Sequence, residues 1–555
     1  MINLGIDFGS TYTMVSMLDK DIPTVVQSSN NSYHYPSIVC YSTEKNKYFF
    51  GNSARNKLDQ PEIIPFRGFK MLLAHDSDDS ALIERGYTGV NTPQFITELF
   101  LGFVIKETLK KLNEDKVDVL VVGAPECWFQ SAHTVDARET LRNICLSFCD
   151  KGMVNRFELR SEPTDAAAFC VWDFERRKNQ KFNGKIMVID YGGGTLDTAL
   201  VKVTHFDDKI QIKPEILSGI GENHDNELGK AGIAYQEAVV RRAISDALDI
   251  PMNQVAMDKS FVNAVKQFED ALLADSSEID EVFEDYEMNP EGLADENFMK
   301  IRYKDREISI DFAQMKASYD ATIYESLNKV LEESSAELSE NEQPYLSLVG
   351  GFCNFYLVRA QIRNFFRLGS INQRAKTLAF KEEDREKAIA YGACLLANNV
   401  LEVCHVAGFG IGMCVCFGGV EGKYFKRYAI SYGQEYQPNQ VYFAMDVNGN
   451  IAAMTLTQAD KFLLNFYKKD EYGVPASPKE EIAKKLRKAT QSQRPVVVGF
   501  SIDEAERIKV HIFDYHPGAG NDAYGTTIQS NKVIELSTFK NSFNNILYTP
   551  GSDTV

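Results

Sequence analysis

The sequence predicts an α/β fold of two similar lobes followed by a small, mainly β C-terminal domain, and three observations support this. Segments 4–17 and 185–203 share one order of features: a strand, Asp, an aromatic residue, glycine, a small hydroxyl residue and a second strand. Between them, apolar residues at helical spacing alternate with short, fully apolar runs, which is typical of an α/β lobe. From residue 403 onward, strand-like runs are separated by Gly, Asn and Pro turns.

Length, composition and charge exclude several classes of protein. At 555 residues the chain exceeds one hydrophobic core, and roughly 150 residues per domain gives about three or four units. The net charge of −18 argues against a nucleic-acid partner. No apolar run reaches the length of a bilayer span, and no cationic leader precedes the first hairpin. The ten cysteines are interpreted as buried free thiols, so we expect a cytoplasmic protein that acts away from membranes.

The turn of the second segment, Asp190–Asp197, reads Asp-Tyr-Gly-Gly-Gly-Thr-Leu-Asp. Three successive glycines exceed what a tight turn requires and leave backbone N–H groups open to a ligand. Such a nest binds anions, and phosphate is the expected one. Because Asp190 and Asp197 would repel phosphate, we expect a divalent cation between them, and magnesium prefers oxygen ligands. The alternative is a tight turn in a β-protein.

The first segment repeats this pattern. Asp7 corresponds to Asp190, and Ser10 with Thr11 corresponds to Thr195. Two like hairpins indicate two similar lobes that hold one polyphosphate between them. The repeat therefore favours a phosphate site over an isolated turn.

Two charged residues lie in unusual contexts between the hairpins. Lys70 stands within the apolar run Gly68–Leu73, where a lysine ordinarily extends its ammonium group to the surface. Glu162 follows a predicted strand at 157–161 and precedes a proline. That proline is expected to keep Glu162 out of the helical conformation, with the next helix starting from a Thr164 cap. A carboxylate at the end of a strand is well placed for chemistry.

The remaining elements follow from apolar periodicity and turn residues. Strands are predicted within 39–50 and at 118–125, 157–161 and 345–349. Helices are predicted at 94–112, 132–148, 226–248, 311–333, 355–366 and 384–399. Glycine-rich turns are predicted at 218–226 and at 350–351, where a nucleotide can contact the backbone. The acidic run 275–287 is interpreted as a solvated face.

Five motifs together resemble one family. They read Gly-Ile-Asp-Phe-Gly-Ser-Thr-Tyr at 5–12, Glu-Pro-Thr-Asp-Ala-Ala-Ala at 162–168, Asp-Tyr-Gly-Gly-Gly-Thr-Leu-Asp at 190–197, Leu-Val-Gly-Gly at 348–351 and Ala-Ile-Ala-Tyr-Gly-Ala at 388–393. Their order and spacing resemble the nucleotide-binding domain of DnaK-like chaperones, the heat-shock protein 70 family. The resemblance implies an actin-like ATPase domain at 1–400, with two ribonuclease-H-type lobes around an ATP cleft. Lobe I would take about 1–182 and 367–400, and lobe II about 183–366.

The resemblance also implies roles for individual residues. Asp7 and Asp190 would hold hydrated magnesium and, as a further candidate, potassium. Lys70 would steady the γ-phosphate, and Glu162 would lie near the attacking water with Asp197 as its partner. The implied catalytic set is Lys70, Glu162, Asp190, Asp197 and Thr195. The implied ATP- or ADP-contacting set is Gly9, Ser10, Thr11, Tyr12, Gly192, Gly193, Gly194, Gly221, Glu222, Glu269, Gly350, Gly351, Phe352 and Asn354.

The adenosine half of this implied site departs from the family pattern. Family members carry a serine and an arginine where this chain has Phe352 and Asn354. The helix expected to present a lysine and a serine instead has Glu269 and Leu273 at the aligned places. Stacking of Phe352 on the base is one alternative. The identity of the preferred base therefore stays open.

Residues 401–555 are predicted to form the β-rich substrate- or partner-binding domain. Strands are expected within 404–416, 441–444, 451–456, 496–501 and 508–513, and one inserted helix at 477–488 with Ser477 as its cap. The sequence continues without the family's helical lid, so we expect a lidless variant. The link at 398–406 lacks the acidic, leucine-rich pattern of the family linker.

Two functions remain open at this point. The favoured one is a slow ATP-hydrolysing chaperone that couples nucleotide state to binding of unfolded peptide or one protein client, with co-chaperones as further partners. The alternative is a regulatory or scaffolding actin-fold protein with little turnover and one dedicated partner. A sugar kinase of the same fold is disfavoured, because no additional glycine-rich substrate loop is evident.

Overall fold

Helices and sheets alternate along the first 400 residues, and strands dominate the described residues thereafter, which confirms the predicted fold class. The computed structural model describes residues 2–28, 30–58, 60–75, 82–83, 85–126, 128, 137–206, 209–220, 231–288, 293, 296–336, 338, 342–378, 384–407, 410–416, 424–431, 434–443, 453–454, 462–465, 474–478, 496–503, 508–514, 530–535 and 547–548. Within these ranges no helix is long and apolar enough to cross a bilayer.

The first lobe is built on a mixed sheet. In the order of pairing, its strands are Ile22–Val25, Tyr12–Asp19, Ile2–Phe8, Val117–Ala124 and Val154–Ser161, with Tyr35–Pro36 beside Tyr12–Asp19. Ile2–Phe8 is antiparallel to its hairpin partner and parallel to Val117–Ala124. Val117–Ala124 is buried along almost its whole length, as expected for a parallel strand covered on both faces.

Helices cover this sheet at Pro93–Leu112, Ala137–Asp150, Glu162–Lys178 and Ala388–Ala397. Thr92 caps the first of them, because its Oγ1 accepts a hydrogen bond from the Phe95 N–H. Gly392 allows the last helix to contact Glu162–Lys178, since a Cβ there would overlap the Asp165 carbonyl. The small residues at 390–393 therefore permit close packing of these two helices.

A smaller antiparallel sheet belongs to the same lobe. Its strands are Lys47–Phe50, Ile38–Ser42 and Ile63–Arg67, in that order of pairing. The short helix Gly51–Arg55 and the 3₁₀ helix Met71–Ala74 follow two of these strands. This sheet therefore brings the chain to Lys70, the residue that immediately precedes the 3₁₀ helix.

The second lobe repeats the mixed-sheet plan. Its sheet contains Lys376–Thr377, Tyr345–Val349, Gly184–Tyr191, Leu196–Phe206, Lys209–Ile220 and Leu401–Val403, in that order. Gly184–Tyr191 is antiparallel to its hairpin partner and parallel to Tyr345–Val349. The predicted division put 367–400 in the first lobe, but Lys376–Thr377 pairs within the second sheet. Such long-range pairing is not evident from a two-residue strand in the sequence.

Helices and one hairpin complete the second lobe. The helices are Gly232–Leu248, Lys259–Ala274, Ser276–Met288, Phe312–Tyr319, Glu325–Ser335 and Tyr356–Phe366, with short 3₁₀ turns at Met252–Gln254 and Gly351–Asn354. The hairpin pairs Asn297–Tyr303 with Arg306–Asp311. Asp311 begins a capping box with Gln314, and a π-helical turn at Asp320–Tyr324 joins two segments of the predicted helix 311–333.

Backbone contacts divide the chain into two units. The first comprises Met1–Trp128, Val135–Ile212 and Ile216–Glu402, and the second comprises Phe129–Thr134, Lys213–Glu215 and Val403–Val555. The first sheet after residue 403 contains Tyr424–Ile430, Gly410–Cys416, Phe462–Asn465, Val474–Pro478 and Leu547–Tyr548. The second contains Tyr442–Phe443, Val496–Ile502, Ile508–Asp514 and Ser530–Glu535, with Ala453–Met454 beside Val496–Ile502, and His405–Val406 pairs separately with Glu435–Tyr436.

One C-terminal prediction is wrong. Ser477 and Pro478 were expected to start a helix, but they end the strand Val474–Pro478. Ala476 pairs with Phe462 and Ser477 pairs with Tyr548, so the backbone is extended where the cap was expected. Pairing with distant strands outweighs a local capping signal. The rest of the predicted helix, at 479–488, lies outside the described residues.

Candidate functional site

The two hairpins place their first aspartates at equivalent positions. Asp7 is the penultimate residue of Ile2–Phe8, and Asp190 is the penultimate residue of Gly184–Tyr191. Both carboxylates are buried. Burial raises the pKa of Asp7 to about 7, and the charge of Glu162 raises it too, while Lys70 lowers it. Burial raises the pKa of Asp190 well above its usual range, again with Glu162 contributing.

The turns of the two hairpins face each other. A Cβ added to Gly193 would overlap the Thr11 hydroxyl oxygen, and one added to Gly194 would overlap the Ser10 hydroxyl oxygen. A side chain at either position would require the facing hydroxyl group to move, and the hydroxyl groups of one lobe lie against the bare backbone of the other. This is the arrangement expected from the repeated sequence pattern.

Lys70 and Glu162 form a buried ion pair. Lys70 Nζ lies 2.5 Å from Glu162 Oε1, and only 2% of the lysine surface is exposed. The ammonium group also lies 5.7 Å from the centre of the Phe8 ring. Burial lowers the pKa of Lys70, but the carboxylates of Glu162, Asp7 and Asp197 raise it on balance. The alternative that this lysine extends to the surface is thus wrong.

Glu162 reaches the cluster from a helix that begins earlier than predicted. It is the first residue of Glu162–Lys178, with Ser161 at the capping position, so the predicted Thr164 cap is wrong. The following proline is tolerated because N–H groups in the first turn have no partner within the helix. Gly123 leaves room for this side chain, since a Cβ there would lie 2.7 Å from Glu162 Cγ. Sequence reasoning missed Gly123, which looked like an ordinary strand residue.

The acidic cluster has the composition of a cation site. Oxygen atoms of Glu162, Asp190 and Asp197 all lie within 4.8 Å of one another, and each of these residues is buried. With Asp7 nearby in the same cleft, the carboxylates outnumber the single Lys70 ammonium. Buried excess negative charge is stabilised by a cation, and oxygen donors suit magnesium or potassium. The residues present therefore fit the implied metal.

A cleft of about 570 Å³ joins these groups to other predicted residues. From the predicted set its lining includes Asp7, Gly9, Ser10, Thr11, Tyr12, Lys70, Glu162, Asp190, Gly192, Gly193, Gly194, Thr195, Glu269, Gly350, Gly351, Phe352 and Asn354. Asp197 contributes through the acidic cluster. Gly221 and Glu222 lie outside the described residues.

Comparison with known proteins identifies the family. The Hsp70 protein family model matches residues 3–409. The chain belongs to the Hsp70 family. It therefore has the actin-like ATPase fold of that family, in two lobes followed by a β-rich region.

Curated relatives of this Hsp70 chain are chaperones of low identity. The chaperone protein HscA of Buchnera aphidicola is 25% identical over 217 residues, which is 36% of this chain and 33% of that protein. DnaK of Mesomycoplasma hyopneumoniae is 29% identical over 238 residues, 41% of this chain and 34% of that protein. DnaK of Carsonella ruddii is 23% identical over 423 residues, 71% and 62% of the two chains. The chain thus spans less than two thirds of these Hsp70 relatives.

The cleft is also lined by residues that the sequence did not single out. Leu272, Ser276, Ile279 and Asp280 line it in addition to the Leu273 singled out earlier. They come from the C-terminal end of Lys259–Ala274 and the start of Ser276–Met288. The sequence indicated only a solvated face for the acidic run 275–287. Its cleft residues could not be distinguished, because they share a helix with exposed acidic residues.

Phe352 is held within an aromatic cluster. Its ring stacks on Phe355, with centroids 5.6 Å apart and planes 9° apart, and it also contacts Tyr191 and Tyr235. Asn354 Oδ1 accepts a hydrogen bond of 3.3 Å from Arg385. Phe352 thus lines this Hsp70 cleft while its ring packs against other aromatic residues.

Arginines of the first lobe bond to acidic residues of the second. Arg67 Nη2 donates to Glu269 Oε2 at 2.9 Å. Arg55 pairs with Asp270 and donates to the Tyr12 hydroxyl at 2.6 Å. Glu269 was predicted only as a nucleotide contact, so its bond to Arg67 across the cleft is a second feature of this Hsp70 chain that the sequence did not reveal.

Proposed function

We propose that the chain binds magnesium-bound ATP between the turns of its two hairpins and hydrolyses it slowly to ADP and phosphate. The observation that carries this proposal is the contact of the Ser10 and Thr11 hydroxyls with Gly193 and Gly194, in the same cleft as the buried Lys70 cluster. Bare N–H groups and hydroxyls bind phosphate oxygens, and a buried lysine stabilises their charge.

The residues divide into three roles in this proposal. The backbone around Gly192–Gly194 and the hydroxyl groups of Ser10, Thr11 and Thr195 hold the phosphates. Asp7 and Asp190 hold the metal, with potassium as a second candidate ion. When bound, magnesium neutralises charge on the β- and γ-phosphates.

The chemical step rests on the buried ion pair and its neighbour. The Lys70 ammonium steadies the γ-phosphate as negative charge shifts toward the leaving oxygen. The carboxylates of Glu162 and Asp197 orient the attacking water in line with the leaving group. No covalent enzyme intermediate is required. The side chains of Lys70, Glu162 and Asp197 are all buried, which limits the access of bulk solvent to them.

The β-rich part of the chain serves as the client-binding domain in this proposal. We propose a nucleotide-binding domain at 1–400 and a domain at 401–555 that binds unfolded peptide or one protein client, with co-chaperones acting on the pair. The names DnaK and HscA of the relatives support a chaperone. The free thiols among the described cysteines support a cytoplasmic location.

A regulatory or scaffolding protein with little turnover is the second candidate. The altered nucleoside end of the cleft, with Leu273 and Asn354, favours it. ATP turnover with and without a denatured peptide distinguishes the two candidates. Stimulation by peptide supports the chaperone, whereas nucleotide binding with no turnover in either condition supports the regulatory protein and contradicts the ATPase.

A further inference from the structure

A groove of about 540 Å³ runs along one face of the helix Pro93–Leu112 in the first lobe. From this helix its lining takes residues 95, 98, 99, 102, 103, 106, 107 and 110, which recur every three or four positions. Such spacing keeps to one face of a helix, so the groove follows about 22 Å of the helix axis at roughly 1.5 Å per residue. Among the described lining residues, this helix groove shares none with the cleft between the hairpins, so an inference about it goes beyond the proposed function.

The helix that forms the groove has two apolar faces. One face, which includes Phe100 and Val104, is buried in the core of the first lobe. The other face lines the helix groove with Phe95, Leu99 and Phe103, and these three side chains are only half buried. A surface helix ordinarily buries one apolar stripe and presents polar residues elsewhere. A second apolar stripe that lines a groove therefore indicates a further binding partner.

Aromatic rings and a glycine shape the helix groove. The ring of Phe103 stacks on Phe50, with centroids 4.9 Å apart and planes 14° apart. A Cβ added to Gly102 would lie 3.4 Å from Phe148 Cε1, which is an ordinary van der Waals distance. The packing of the chain itself therefore does not require glycine at 102, although glycine is less favourable than alanine within a helix. Its effect is to leave room for the close approach of another backbone.

Two of the acidic residues in the helix groove are directed toward partners within the chain. Glu98 Oε1 lies 2.5 Å from Lys151 Nζ. Glu107 lies near the buried Tyr35, because the pKa of Tyr35 is raised mainly by burial and further by the charge of Glu107.

Lys106 and Lys110 are exposed and lie one helical turn apart. Neither has an ion pair or a hydrogen bond within the part of the chain that the structure describes. The end of the helix groove thus has two ammonium groups beside the single carboxylate of Glu107. The chain has a net charge of −18, but salt screens charges beyond about 8 Å, so these nearby charges determine what binds here.

We propose that the helix groove binds an amphipathic helix of a partner protein, with large apolar residues along one face and carboxylates that meet Lys106 and Lys110. A groove of about 22 Å accommodates about four helical turns. An amphipathic helix binds such a groove through apolar residues that recur every three or four positions. Carboxylates one turn apart on the partner helix face two lysines that are also one turn apart.

Fluorescence anisotropy of a labelled synthetic peptide with the full chain tests this inference. The probe is a stapled helical peptide with leucines one turn apart on one face and glutamates at one end of that face, and a matched peptide has lysines in place of the glutamates. We expect saturable binding of the acidic peptide that is about tenfold tighter than binding of the basic one. Equal binding of the two peptides, or no binding of the acidic one, overturns the inference.

Two other occupants would also overturn it. Self-association of the chain in sedimentation velocity, abolished by Gly102→Ala, would assign the helix groove to a second copy. Saturable binding of decanoate with no binding of the acidic peptide would assign it to an acyl chain.

Gly102→Ala tests the close approach without weakening the fold. The melting temperature should stay the same or rise, because alanine favours the helix. The affinity for the acidic peptide should fall about fivefold, because the added methyl group occupies the centre of the helix groove. An unchanged affinity contradicts the inference.

Lys106→Glu tests the charged end. We expect about a tenfold loss of affinity for the acidic peptide, because the new carboxylate repels it and pairs with Lys110. The matched control is Lys329→Glu, which reverses the charge of an exposed lysine on the helix Glu325–Ser335, away from the groove lining. Equal losses in the two variants would show that overall charge is responsible and overturn the inference.

Discussion

Lys70 and Glu162 come from segments 92 residues apart and form an ion pair of 2.5 Å that is almost inaccessible to solvent. The lysine precedes a 3₁₀ helix beside the small sheet, and the glutamate begins a helix after the last strand of the main sheet. Neither charge is stable alone at such a depth, so each requires the other. A change in either residue is therefore expected to affect both hydrolysis and stability, so the two effects must be measured separately.

Replacing the lysine should separate binding from hydrolysis. We expect Lys70→Met to bind ATP and to hydrolyse it about 100-fold more slowly, because a charge that stabilises the transition state is removed. Single-turnover phosphate release measures the effect. The unpaired Glu162 carboxylate should also lower the melting temperature, and the double variant Lys70→Met with Glu162→Gln should recover part of it. An unchanged rate in a folded Lys70→Met protein contradicts the assigned role.

The facing turns should tolerate no side chain. Gly193→Ala is expected to lose ATP and tripolyphosphate binding, because the new Cβ would overlap the Thr11 hydroxyl oxygen and push the turns apart. Titration calorimetry measures the loss. Gly193→Ala should also lower the melting temperature. Adding Thr11→Ala removes the overlapping oxygen and should restore the melting temperature. It should restore the affinity less, because the Thr11 hydroxyl group that contacts the phosphate is absent. Full affinity in Gly193→Ala would show that the turns do not bind phosphate.

Metal affinity should depend on pH near neutrality. The pKa of Asp7 is raised to about 7 by burial and by Glu162, against the opposing charge of Lys70. Because the folded state holds this proton more tightly than the unfolded chain, the contribution of Asp7 to stability is complete below about pH 4 and declines as pH rises toward 7. Magnesium must displace the proton, so its affinity should rise through pH 7.

Asp7→Asn provides the control for this pH effect. The variant should flatten both the stability slope and the metal-affinity slope, because the asparagine cannot titrate. Melting temperature and magnesium titration between pH 5 and pH 8 measure the two slopes. Identical slopes in the native chain and the variant would show that another group titrates instead.

A buried carboxyl group should weaken the first lobe. Asp165 is fully buried, and both of its carboxylate oxygens lack a hydrogen-bond partner among the described residues. Burial raises its pKa well above the usual range, although Arg160 lowers it. We expect Asp165→Ala to raise the free energy of unfolding by roughly 1–3 kcal/mol, because an unsatisfied buried polar group is removed. Denaturant unfolding measures this free energy. The control is Asp173→Ala, which removes the ion pair with Arg177 and is expected to lose stability. A loss in Asp165→Ala as well would show that its carboxyl group is satisfied.

The bonds between the lobes should slow nucleotide release. Arg67→Ala removes the donor that lies 2.9 Å from Glu269, so the cleft should open more readily. We expect dissociation of a fluorescent ATP analogue to accelerate by about two- to tenfold, which corresponds to the loss of the interaction free energy of one partly exposed ion pair. Arg363→Ala, which breaks an exposed pair within the second lobe, is the matched control. Equal rates in both variants would contradict a role of Arg67 in release.

The sequence predicted the paired hairpins better than the contacts between the two lobes. The repeated hairpins, with Asp7 and Asp190 at equivalent positions, depend on the order of residue types within a short segment. Such a segment can be recognised in the sequence without knowledge of distant contacts. Lys70 could be noticed because a lysine is unusual in an apolar run. The bond between Arg67 and Glu269 joins residues about 200 positions apart, and neither residue has an unusual neighbourhood in the sequence.

Other differences have the same physical origin. The start of the helix at Glu162 and the strand that contains Ser477 both depend on where distant segments pack, which outweighs the local preference of proline or serine. Gly123 could not be singled out, because it is required by a neighbour from another element. Tertiary contact, rather than propensity, determined each of these positions.

Single-turnover hydrolysis of ATP by the full chain tests the central claim most directly. The account predicts phosphate release that requires magnesium and falls by about 100-fold in Lys70→Met while ATP binding persists. Release no faster than from ATP without protein, or release at the native rate in that variant, would contradict the account of Lys70 and the paired hairpins as an ATP-hydrolysing site.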